Sequence, residues 1–218
     1  MNKIVNIIFD LDGTLIDSQI DIKDSFKNAL YKLKGITIND ALLKIGPPPE
    51  EMIRTILTNI SEEEVVEIIT TFRSIYRNSG FTNTICYSGI DKLLQIIKQQ
   101  GKHIYLATNK PSYLTNAIIE RLNINYFNDI CTSDAIEGTI LSKKQIIALL
   151  IEKNKIDPNV TLMVGDTSSD IKSACENGII SVGVGYGYET KEQIMKEKPD
   201  FYFETLPQLT DFFNTLTN

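Results

Sequence analysis

Ile4-Val5-Asn6-Ile7-Ile8-Phe9-Asp10-Leu11-Asp12-Gly13-Thr14-Leu15 is the stretch that decides the architecture. Ile4, Val5, Ile7, Ile8 and Phe9 form a short apolar run rich in β-branched side chains, and Asp10-Leu11-Asp12-Gly13 cuts it off with a turn signature. A strand that is apolar on both faces belongs inside a parallel sheet with helices above and below.

Downstream, the rhythm from His103 is strand, helix, strand, helix. Strands are expected over His103–Ala107, near Ile130-Cys131, over Val160–Val164 and Ile179–Val184, and at Phe201–Phe203. Helices are expected over Tyr113–Leu122, Lys143–Lys153 and Ser168–Asn177, with one more at the C-terminus. This alternation predicts an α/β fold, a Rossmann-like doubly wound parallel sheet.

Between the first strand and that series the pattern is helical only. Ile22, Phe26, Ala29, Leu30 and Leu33 recur at helical spacing before Gly35. Pro47-Pro48-Pro49 leads into Ile53, Ile56, Leu57 and Ile60. Ser61 with Glu64 reads as a capping box ahead of Val65, Ile68, Ile69, Phe72 and Tyr76. A further helix spans Ile90 to Gln100. The expected organisation is a core of residues 1–17 and 82–218 carrying an inserted helical domain of residues 18–81.

With 218 residues and 42% hydrophobic content, the chain can bury a core without disulfides. Its 22 basic and 28 acidic residues give a net charge of −6, which argues against a broad nucleic-acid-binding surface. No signal peptide precedes the first strand and no apolar run is long enough to span a bilayer, so no membrane partner is expected and the expected location is cytoplasmic. Cys86, Cys131 and Cys175 are odd in number and lack metal-like pairing, which makes buried thiols the expectation. Oligomeric state leaves no mark in the sequence.

Open parallel sheets bind ligands beyond the carboxyl ends of their strands. Asp10 and Asp12 follow the first strand, Thr108 and Asn109 the strand ending at Ala107, and Asp166 and Asp170 the strand ending at Val164. So many carboxylates on one edge call for a cation. The set suits aspartyl-phosphate chemistry, in which a carboxylate attacks phosphorus and splits hydrolysis into two easier steps. Magnesium takes hard oxygen ligands, which Asp10, Asp166 and a main-chain carbonyl near Asp12 would supply. Asp12 is positioned to protonate the leaving alkoxide and then deprotonate water. Gly13 permits the tight turn. Asn109 or Thr108 can hold phosphoryl oxygens, as can a cation from the helix starting near Ser142.

These residues carry a family resemblance. Phe9-Asp10-Leu11-Asp12-Gly13-Thr14-Leu15 resembles the first motif of the haloacid dehalogenase superfamily, Ala107-Thr108-Asn109-Lys110 the second, and Gly165-Asp166-Thr167-Ser168-Ser169-Asp170 the fourth. The third is a lysine with two adjacent candidates, Lys143 and Lys144; Ser142-Lys143-Lys144-Gln145-Ile146 favours Lys143. The helical insertion resembles the small cap of phosphoglycolate-phosphatase-like members. The resemblance implies Asp10 as nucleophile and Asp12 as acid/base. It puts Asp10, Asp12 and Asp166 on Mg2+, Asp170 beside or within the metal shell, and phosphate on Thr108, Asn109 and Lys143. In that cap type, the loop with Gly46, followed by Arg54, would help choose the substrate, a small phosphorylated metabolite.

Other features read as structural. His103 opens a strand, which suits a core or edge role. Glu62, Glu63 and Glu64 favour a helix start through the macrodipole. Gly183, Gly185 and Gly187 do not open a helix in dinucleotide spacing and read as a loop near the site, with Tyr186 and Tyr188 at its entrance. Two rivals to the phosphatase remain. One is a sugar phosphomutase of the same superfamily, and the other is a non-catalytic binding module, against which both Asp10 and Asp12 stand. Dehalogenation is disfavoured by the acid at Asp12.

Overall fold

In the computed structural model, which describes residues 3–43, 45–46 and 48–216, β1 (Asn6–Phe9) is buried at every position, as its unbroken apolar run requires. After β2 (Ile16–Asp17) come three helices, α1 (Gln19–Lys34), α2 (Pro49–Ile56) and α3 (Glu62–Asn78), and then β3 (Ile85–Cys86). The alternating part follows. It runs α4 (Ile90–Gln99), β4 (His103–Thr108), α5 (Ser112–Leu122), β5 (Asp129–Thr132), α6 (Lys143–Asn154), β6 (Thr161–Gly165), α7 (Ser168–Glu176), β7 (Ile180–Val184), α8 (Lys191–Lys196), β8 (Phe201–Phe203) and α9 (Leu206–Thr215).

Six of these strands form one sheet in the order β5-β4-β1-β6-β7-β8, with every neighbouring pair parallel. β1 lies at its centre, with Phe9 in register with Leu106 on one side and Val164 on the other. The chain winds outward from β1 in both directions, which makes the doubly wound α/β fold. Ile8, Tyr105, Ala107 and Met163 pack with Ile146, Ile147, Leu150 and Ala174 of α6 and α7.

The chain divides into two compact units, Met1–Ile16 with Cys86–Asn218, and Asp17–Ile85. In the helical unit, Phe26 meets Phe72 at 4.9 Å, Phe72 stacks on Tyr76 at 5.8 Å, and Tyr76 meets Phe81 edge-on at 4.9 Å. α3 opens with the Ser61–Glu64 capping box. The buried Asp21 carboxylate accepts from Thr84 Oγ1 (2.7 Å), Asn83 N (3.0 Å) and Asn83 Nδ2 (2.9 Å), tying the end of the unit to its first helix.

Observed element ends differ from the sequence reading by a residue or two. β2 and β3, two residues each, carry no readable period, and α8 and the 3-10 turns at Asp40–Leu42 and Pro158–Val160 are also short. The thiol expectation needs correction, because Cys131 is buried, Cys86 half-buried and Cys175 exposed on the outer face of α7. His103 is exposed at the start of β4, an inner strand, so it lies neither in the core nor on an edge strand. Pro47 of the proline loop lies outside the described residues. Among the described residues, no helix is long and apolar enough to cross a membrane.

Candidate active site

The switch in winding direction falls at β1, and the side chains that follow β1, β4 and β6 converge there. Asp10 continues the ladder one step past the strand, its amide donating to Val164 O at 3.0 Å. Asp10, Asp166 and Asp170 are all buried, and each offers a carboxylate oxygen within 4.8 Å of the others.

Small residues make this crowding possible. Gly13 has φ +90°, and a β-carbon there would collide with the Asp166 carboxylate. One on Gly165 would strike Asp170, and one on Gly187 would strike Asp166 and Gly13 O. The carboxylates are held in orientation. Thr14 Oγ1 donates to Asp166 Oδ1 (2.9 Å) and Tyr188 N to Asp166 Oδ2 (2.8 Å). Asp170 closes the capping box of α7, accepting at Oδ2 from Thr167 N (3.1 Å) and Thr167 Oγ1 (2.6 Å).

Lys143 is the first residue of α6, set by the Ser142–Gln145 capping box. Its ammonium pairs with Asp10 Oδ1, donates to Ala107 O at 3.0 Å and lies 3.0 Å from Asp170 Oδ1. Lys144 points elsewhere. Its side chain is 55% exposed against 3% for Lys143, and it pairs with Glu176 at 3.5 Å. Thr108 is buried, and its hydroxyl accepts from Lys110 N at 3.1 Å; Asn109 beside it is half-buried. Asp12 stands apart from the carboxylate trio, with Oδ1 3.3 Å from Lys110 Nζ. Gly46, with φ +128°, and Arg54, paired with Glu62 Oε2 at 2.6 Å, belong to the helical unit.

Electrostatics follow from this packing. Burial pushes the Asp10 carboxyl up from 3.8 to about 7; Lys143 pulls it down, while Asp170 and Asp12 push it further up. Asp166 is raised well above 3.8 by burial and then by Asp10 and Asp170. Lys143 is raised, because the two carboxylates outweigh the desolvation that opposes its charge. Fully ionised, three carboxylates against one ammonium leave two negative charges uncompensated. Asp170 Oδ1 is buried and makes no directed hydrogen bond despite its nearness to Lys143. A hard divalent cation fits this all-oxygen set.

Sequence reasoning gave Lys110 no role, although it closes the stretch that resembles the second motif; it is a buried partner for Asp12. It also missed how the loop after β7 is tied to the site. Tyr186 Oη donates to Thr14 O at 3.1 Å and its ring meets Tyr87 edge-on at 5.1 Å. Glu189 accepts from Ser168 N at 2.7 Å and Ser168 Oγ at 3.1 Å. The Tyr186 hydroxyl is raised above its ordinary 10.0 by burial, then by Asp166 and Tyr87.

Fold and site together define an α/β protein with buried carboxylates and a buried lysine gathered at the switch point of a parallel sheet. A family profile described as haloacid dehalogenase-like hydrolase matches residues 7–184, and the chain belongs to that family. It is 33% identical over 218 residues to a phosphoglycolate phosphatase of Vibrio vulnificus, covering 94% of each chain. It is 31% identical over 208 residues to a 5'-nucleotidase of Pseudomonas aeruginosa, covering 94% of this chain and 93% of that one. The crystal structure of a predicted phosphatase from Clostridium acetobutylicum superposes with a TM-score of 0.87 at 29% identity, covering 97% and 99% of the two chains.

Proposed function

We propose that the chain hydrolyses phosphate monoesters of small metabolites through a phospho-aspartate at Asp10, with Mg2+ as cofactor. The observation that carries this reading is the buried trio Asp10, Asp166 and Asp170 with Lys143 against it. The likeness to a phosphoglycolate phosphatase and a 5'-nucleotidase supports a small phosphorylated substrate.

Asp10 Oδ attacks phosphorus, and the bond to the ester oxygen breaks with its electron pair. Asp12 gives that oxygen a proton, releasing the alcohol. Water then attacks the same phosphorus and passes a proton to Asp12, and the acyl–phosphate bond breaks to return the Asp10 carboxylate and inorganic phosphate. Lys143, with Thr108 and Asn109, grips the phosphoryl oxygens and offsets charge as it moves toward the leaving group. Asp10 and Asp166, with Asp170 at hand and main-chain carbonyl at Asp12, would hold the magnesium ion, which supplies charge neutralisation between carboxylate and phosphate dianion. Gly46 and Arg54 are assigned to substrate choice.

The test is turnover of p-nitrophenyl phosphate with magnesium, by wild type and by Asp10→Asn, with chemical trapping of phosphate on the protein. The reading expects wild-type turnover that EDTA abolishes, an acid-stable phosphoryl adduct absent from Asp10→Asn, and loss of nearly all activity in that variant. Asp10→Asn turning over at the wild-type rate overturns it.

A further inference from the structure

We propose that Lys110 is a positioning residue for Asp12, holding that carboxyl where it exchanges a proton with the leaving oxygen. The assignment rests on the hydrolase reading above and deepens it.

Lysine seldom gives up water, because an ammonium taken out of solvent must be paired. Lys110 is nonetheless buried, with a side chain only 6% exposed, and the carboxylate it meets is Asp12, at 3.3 Å. Its backbone is fixed on both sides. The amide donates to Thr108 Oγ1 at 3.1 Å, and the carbonyl accepts from Thr115 Oγ1 at 3.2 Å, across the start of α5. Pro111 follows as the residue that opens α5, with φ −61°. The ammonium therefore projects from a rigid base.

The two buried lysines of this edge divide the work. Lys143 meets Asp10 and Asp170, while Lys110 meets Asp12. Each member of the Asp10/Asp12 pair thus has its own cation. At 3.3 Å the Lys110 contact is looser than a charge-assisted hydrogen bond of about 2.7–2.9 Å, so it steers by Coulomb attraction in a poorly solvated place. A point charge fixes where Asp12 Oδ1 sits and leaves the carboxyl plane able to turn. Proton transfer depends on geometry before it depends on acidity.

The competing role is direct grip on phosphate, which would serve every ester alike. Leaving groups separate the two. p-Nitrophenol departs as an anion without help, whereas an alkyl alcohol needs the proton from Asp12. We would measure kcat and KM of wild type, Asp12→Asn, Lys110→Met and Lys110→Arg on p-nitrophenyl phosphate and on ethyl phosphate, with magnesium.

Expected for Lys110→Met is a fall in kcat on ethyl phosphate at least roughly ten-fold larger than on p-nitrophenyl phosphate, the same selective pattern as Asp12→Asn, and KM within about three-fold of wild type. Lys110→Arg should restore part of the ethyl phosphate rate. A variant that merely folds badly loses both esters equally. Equal losses, raised KM with kcat kept, or no loss at all overturns the proposal while leaving the hydrolase reading intact. Wild type inactive on both esters overturns the hydrolase reading, and this assignment falls with it.

Discussion

Two neighbouring lysines open α6, and their fates diverge because successive residues on a helix point about 100° apart. Only one can face the strand ends. Lys143 does, pairing with Asp10 and lying 3.0 Å from Asp170, whereas Lys144 reaches Glu176 on the surface. Lys143→Ala should therefore cut kcat/KM on p-nitrophenyl phosphate by roughly 10²–10³, the usual cost of removing a preorganised donor. Lys144→Ala should stay within about two-fold of wild type, since exposed ion pairs contribute little. The opposite ranking would move the phosphate grip to Lys144. The same scale shows what sequence reading can reach. Asp10 and Asp166 were legible because each follows an apolar strand. Asp170 was harder, for it looks like the N3 partner of an ordinary capping box and is one, with the oxygen not used there turned toward Lys143. Lys110 was not legible as a buried group, because a lysine in a turn is normally solvated, and its burial against Asp12 shows only in the folded chain.

Among elements, the long ones were readable and the short ones were not. α1 and α3 repeat their apolar faces over several turns, and their ends carry a glycine stop and a capping box. Two residues of β2 or β3 contain no period, so the limits of the helical unit, Asp17–Ile85, cannot be read to the residue. The loop between β7 and α8 is the instructive case, since its alternating glycines placed it near the site without showing what holds it there. It is tied down at Tyr186, Tyr188 and Glu189, and Gly187 rests against Asp166. The glycine is there for close approach. Gly187→Ala should destabilise the protein by about 1–3 kcal/mol, the usual cost of overpacking, and should also displace Asp166. Its magnesium-induced rise in melting temperature should be smaller than that of wild type. An unchanged rise would mean that the loop only packs against Asp166 and does not set its position.

For the whole molecule, a buried cluster of carboxylates is a liability to the fold until a cation joins it. The folded Asp10 carboxyl titrates at about 7 rather than 3.8, and Asp166 is raised as well. A raised acid holds its proton in the folded state over a pH range where the unfolded chain has released it. Unfolded molecules therefore bind fewer protons in that window, and stability falls as pH rises from about 4 through about 7. The opposite shift, Glu64 lowered to about 2 by Lys34 and its own capping box, acts only below its ordinary 4.5 and so lies outside a measurement between pH 5 and pH 8. The metal-free chain should melt progressively lower between pH 5 and pH 8 in EDTA, each kcal/mol of penalty moving the midpoint by roughly 2–4 °C at this length. Magnesium should raise the midpoint more at pH 8 than at pH 5, because it compensates charges that protons compensate at the lower pH. Asp10→Asn, which cannot ionise there, should flatten part of the slope and melt above wild type at pH 8 in EDTA. A flat metal-free profile, with magnesium acting equally at both pH values, would mean that the cluster does not store this charge, and the stability of the fold would be independent of its chemistry.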